Sequence, residues 1–109
     1  MSLQPQIDSL RSLSPDASLI ADAGIDYIYL PKLRVKTGND TQTVDALLCP
    51  AKHSGYTTRL FLEKPIQKRG KNWSVHSILG RTWHTWSWNN VPENLSLMQI
   101  LSAHMRPLL

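Results

Sequence analysis

The sequence predicts an α+β fold: an N-terminal helix, a four-stranded antiparallel meander, an irregular crossing and a C-terminal helix. Three observations predict it. Apolar residues recur at helical spacing only near the two ends of the chain. Between those ends, runs rich in β-branched and aromatic residues alternate with turn residues. The chain has 109 residues, 41% hydrophobic and 18% charged, which is enough for one core and too little for two. A single domain over 1–109 is therefore expected.

The first helix is expected over 5–13, where Ile7, Leu10 and Leu13 share a face and Pro5 suits a first turn. Ser14-Pro15-Asp16 ends it. From Ala17 the period changes, and two β-type runs, SLIAD and IDYIYL, meet at a tight turn around Gly24. Thr37-Gly38-Asn39-Asp40 is a turn cluster. The next strand runs over 43–49 until Pro50, and Arg59-Leu60-Phe61-Leu62 forms another, stopped before Pro65. The stretch 64–72, with four basic residues and a glycine, reads as a solvated loop. Residues 73–79 read as a short strand or an irregular crossing that leads through Gly80-Arg81 into a tryptophan cluster. A helix is then expected from Pro92-Glu93, with Leu95, Met98, Leu101 and Met105 on one face, ending at Pro107.

The formal charge is +4, and it is uneven. Residues 1–54 carry five basic and six acidic groups, whereas 55–109 carry seven basic and two acidic. Such a basic half suits an anionic partner, although a charge of this size also serves ordinary solubility. Cys49 is the one cysteine, so no internal disulfide forms, and no zinc-ligand spacing or cofactor motif occurs. There is no basic-then-apolar leader and no run of apolar residues long enough to span a membrane. These features point to a cytoplasmic protein without a membrane partner, metal or cofactor.

Few residues qualify for chemistry. Cys49 ends an apolar strand with no base beside it, the setting of a buried structural thiol. His53 lies in a loop, and His104 sits in the last helix as a packing or surface residue. His76 has Ser74 and Ser77 as neighbours, and His84 has Thr82, Thr85 and Ser87. A hydroxyl becomes a nucleophile only beside such a base. Ordinary polar residues on strands and turns give the same pattern, because sequence neighbours on a strand face opposite ways. Trp83, Trp86 and Trp88 serve either as an aromatic block under the last helix or as a platform for stacking bases, flanked by Lys64, Lys68, Arg69, Lys71 and Arg81. No nucleic-acid module pattern accompanies them, which favours packing.

The order of these motifs resembles the ubiquitin-conjugating enzyme family. The run His53-Ser54-Gly55-Tyr56-Thr57-Thr58-Arg59-Leu60-Phe61 is similar to that family's loop and strand before the active-site crossing. Gly80-Arg81-Thr82-Trp83-His84-Thr85-Trp86-Ser87, followed by 95–101, is similar to the Trp-Ser segment and following helix of its short bacterial relatives. Those relatives are encoded with ubiquitin-like proteins, ThiF-like activating enzymes and JAB-type proteases. The resemblance implies a minimal ubiquitin-conjugating fold and acceptance of an activated ubiquitin-like C-terminus for transfer to a target. Thr57 stands where the family has proline, the His-Pro-Asn motif is absent with Asn72 near its place, and the stretch before Trp86 where the family has its catalytic cysteine holds none, Cys49 falling too early in the preceding strand. The acyl group would then ride on a hydroxyl as an oxyester, or the chain would be a non-catalytic adaptor. By the resemblance, Ser87 is the first nucleophile candidate, followed by Ser77 and Thr85. His84 or His76 would be the base, and the amide of Asn72, Asn89 or Asn90 would hold the oxyanion. A small basic nucleic-acid-binding module using the tryptophans is the reading from a different class.

Overall fold

The computed structural model describes residues 4–51, 56–66, 72–86 and 91–108. Helix α1 spans Gln4–Leu10 and buries Ile7 and Leu10. Six strands follow: β1 Ser18–Asp22, β2 Ile25–Thr37, β3 Asp40–Cys49, β4 Arg59–Leu62, β5 Ser74–Ile78 and β6 Arg81–Thr85. Helix α2 spans Leu97–Met105 and runs into a 3-10 turn, Arg106–Leu108.

The expected four-stranded meander with an irregular crossing is overturned. Among the described residues six strands join one antiparallel sheet in the order β1-β2-β3-β4-β6-β5, a mostly-sheet fold with two short helices. The crossing expected at 73–79 is the first arm of a hairpin, with Ile78 opposite Arg81 across the two residues Leu79 and Gly80. Both have positive φ, 56° and 71°, which is the backbone of a tight hairpin turn whose twist matches that of its strands. A leucine in this position gives no turn signal, so the hairpin was hidden. Ala23-Gly24, with φ 51° and 79°, turns β1 into β2 in the same way, and there the glycine made the turn visible. The last helix also starts later than expected. Ser96 caps it by accepting from the Gln99 N–H at 3.2 Å, while the Gln99 side chain accepts from the Ser96 N–H at 3.0 Å.

Strand β2 carries an irregularity that decides which residues face which way. Leu30 opposes Ala46 but Leu33 opposes Val44, so one extra residue is inserted at Pro31-Lys32, where Lys32 has φ 53°. The Lys32 N–H donates to Asp45 Oδ1 at 3.0 Å, and Ser14 Oγ donates to the Pro31 carbonyl at 2.7 Å. After the bulge, Leu33 and Val35 continue the face that Ile28 and Leu30 began.

One face of the sheet packs under α1, α2 and the 3-10 turn, joining Leu30, Leu33, Leu48, Leu60 and Leu62 to Leu10, Ile100 and Leu101. The other face gathers Tyr27, Leu47, Cys49, Phe61, Ile78 and Trp83. Among the described residues no helix packs on that second cluster. It is enclosed because the sheet curls, and the Leu79 N–H at the β5–β6 turn donates to Asp22 Oδ2 of β1 at 3.2 Å. Strands at the two ends of the sheet order thus meet. Arg81 helps close the concave side, stacking 4.5 Å from the Trp83 ring and reaching Asp45 at 3.5 Å.

Candidate functional site

The hairpin β5–β6 positions most of the candidate chemistry, and its register separates it. His76 lies opposite Trp83, and His84 lies opposite both Val75 and Leu62. Directly opposed residues share a face, so His76 belongs with Trp83 on the concave side and His84 with Leu62 on the helix-covered side. The two imidazoles cannot act on one reacting group. The His76 ring stands edge-on to Phe61 at 5.5 Å, and its Nε2 lies 3.5 Å from Ser74 Oγ. Burial first, and the charge of Arg59 second, hold the His76 imidazole below its ordinary value. His84 Nδ1 is buried with no hydrogen-bond partner among the described residues.

The hydroxyl candidates are distributed in the same way. Thr85 is buried, and its Oγ1 donates to the Leu60 carbonyl at 2.8 Å. The pairing of β4 with β6 is confined to Leu62 and His84, so this side chain takes up a carbonyl the ladder leaves over. Thr85 is a structural hydroxyl. Ser77 is exposed, opposite Thr82, and no hydrogen bond joins it to either imidazole among the described residues. Asn72 is exposed in a left-handed conformation, φ 54°, just before β5, a role suited to asparagine. Ser87, Trp88, Asn89, Asn90 and His53, with the basic residues Lys68, Arg69 and Lys71, lie outside the described residues.

Cys49, Trp83, Trp86 and His104 have structural roles. Cys49 is buried, its thiol donates to the Ala51 carbonyl at 3.3 Å, and burial pushes its pKa up, away from a reactive thiolate. Trp83 and Trp86 are buried on opposite sides of the sheet, so neither offers a face to a base. Trp83 Nε1 donates to the Ile78 carbonyl at 3.0 Å, and Trp86 packs between Trp73 and His104. His104 is buried against Thr58, with Nε2 to Oγ1 at 2.8 Å. Thr58 Oγ1 spends its own proton on the Val91 carbonyl, so it accepts from an Nε2–H imidazole.

The arrangement that sequence reasoning missed lies elsewhere. Beyond Tyr29, β2 leaves its edge unpaired by β1, and the Arg34 N–H there donates to the Leu13 carbonyl. A groove of about 260 Å3 opens between this edge and the end of α2, lined by Leu13, Arg34, Lys36, Ser102, Met105 and Arg106. The ion pairs among the described residues are Asp8–Arg11 and Asp45–Arg81, so none of the three groove cations is matched by a carboxylate there. Arg34 and Lys36 come from a strand and Arg106 from the far end of the chain. No local motif signals their meeting.

Among the described residues, no group of three or more His, Cys, Asp or Glu is placed to hold a metal ion, and no helix is long and apolar enough to cross a membrane. Comparison with known proteins finds no family model, no curated protein and no solved structure that matches this chain.

Proposed function

We propose that this chain is a non-catalytic binding module that takes an acidic, partly apolar segment of a protein partner in the groove between β2 and α2. The observation that carries this reading is the lining of the groove. Arg34, Lys36 and Arg106 gather there without carboxylate partners among the described residues, beside the apolar side chains of Leu13 and Met105. Cations without local partners raise the potential of a surface and steer an anionic partner to it. The apolar flanks suit a peptide better than a phosphodiester backbone, and Trp83 and Trp86 are buried and offer no stacking surface, while Trp88 lies outside the described residues. Ubiquitin-like proteins, ThiF-like activating enzymes and JAB-type proteases are the partners carried over from the motif resemblance.

A labelled peptide of alternating Asp and Leu, titrated into the whole chain, tests the reading. Binding should weaken as salt rises and be lost in Arg34→Glu/Lys36→Glu, while the thermal transition is kept. Binding that ignores the charge reversal, or a preference for single-stranded DNA over the peptide, would overturn it. Acyl transfer gives a separate outcome, resting on Ser87 or the exposed Ser77. A hydroxylamine-labile adduct with an activated ubiquitin-like protein, lost in Ser87→Ala or Ser77→Ala and kept in Cys49→Ala, would replace the binding module with a carrier.

A further inference from the structure

A second cation stands apart from the groove, and its setting is unusual. Arg59, the first residue of β4, is only 6% exposed, yet its Nε has no hydrogen-bond partner and no carboxylate pairs with it among the described residues. A buried charge without a counter-charge is costly, and proteins rarely keep one without a use. It lies opposite Cys49 and two residues before Phe61, which places it at the end of the concave face that holds His76. Its Cζ sits 4.2 Å from the centroid of the Tyr56 ring.

That stacking determines what Arg59 has left to offer. A guanidinium over an aromatic ring uses its flat face for the cation–π contact. In Arg59 the Nε–H has no hydrogen-bond partner beside that contact, so a donor on the guanidinium edge stays available. That edge matches two oxygens of a carboxylate or phosphate in parallel hydrogen bonds. We propose that Arg59 anchors a site for an oxyanion, a phosphate or a carboxylate, with Tyr56 holding the guanidinium in place. The site is independent of the groove, which uses none of these residues.

The intact protein is titrated with sodium phosphate and, separately, with sodium acetate, against sodium chloride at constant ionic strength. The readouts are the Arg59 Nε–H signal by NMR and the thermal midpoint. Both should move saturably with at least one of the two anions. A response to phosphate alone assigns a phosphoryl ligand, and a response to acetate assigns a carboxylate such as a chain terminus. Arg59→Met should weaken binding about tenfold or more and melt higher than the parent in chloride, because the unpaired charge is gone. Arg59→Lys keeps the charge but not the fork, and should also bind about tenfold more weakly, which covers a failure of the methionine variant to fold. Absence of saturation with both anions would overturn the proposal. So would an undiminished response in Arg59→Lys, or loss of the response in Arg34→Glu/Lys36→Glu, which would move the anion to the groove.

Discussion

Replacing His104 with glutamine isolates one buried imidazole as a source of acid sensitivity. In the folded chain His104 is 1% exposed and its pKa is lowered to about 4, by burial first and by the charge of Arg59 second. Its hydrogen bond to Thr58 and its edge contact with Trp86 hold a neutral ring. In the unfolded chain the same ring titrates near 6.5. Between those values the unfolded state binds a proton that the native state refuses, so stability rises with pH. The neutral ring's contribution is complete above about pH 6.5 and is lost as pH falls toward 4. Each pKa unit corresponds to about 1.4 kcal/mol, so the loss across that window is about 3 kcal/mol. A glutamine amide donates to Thr58 Oγ1 without titrating. Urea unfolding between pH 7.5 and 4.5 should therefore show a steep fall for the parent and a much shallower one for His104→Gln. Parallel curves for the two proteins would refute the reasoning, because the acid sensitivity would then belong to other groups.

Three further outcomes are expected. Thr85→Val leaves the Leu60 carbonyl without its hydroxyl partner and should lower stability by about 1–2 kcal/mol in chemical denaturation, marking Thr85 as a structural group. Leu79→Asn places a residue tolerant of positive φ in the β5–β6 turn and should raise stability by about 0.5–1 kcal/mol, read as a higher thermal midpoint. Cys49 should resist a thiol reagent such as DTNB in the native protein and react fully in denaturant. Rapid native labelling would contradict its burial and its raised pKa.

Legibility varied from element to element for physical reasons. Strand β1 and the start of β2, Ile25 to Leu30, were readable because Gly24 marks the turn between them, whereas the run of β2 on through Pro31 and the bulge to Thr37 was not. The β5–β6 hairpin was not, because its first turn residue is leucine and only pairing with β4 holds the whole segment in the sheet. The capping box at Ser96 and Gln99 was present in the sequence, but Pro92-Glu93 is an equally good start signal and lies four residues earlier. For the candidate chemistry, proximity in sequence was misleading. His76 with Ser77, and His84 with Thr85, are neighbours along strands, and strand geometry turns neighbours to opposite faces.

By itself the sequence determined the alternation of apolar residues, and with it a helix near each end, strands β1, β3 and β4, the start of β2 and the buried character of Cys49. Those features follow from local periodicity and from the identity of single residues. Only the tertiary structure decided that the sheet has six strands and curls until β1 meets the β5–β6 turn. It also decided which cations remain unpaired. Arg34, Lys36 and Arg106 share a groove, and Arg59 lies under Tyr56, through contacts between segments far apart in the chain. Their electrostatics depend on which carboxylates the fold leaves out of reach, a long-range property that no window of sequence contains.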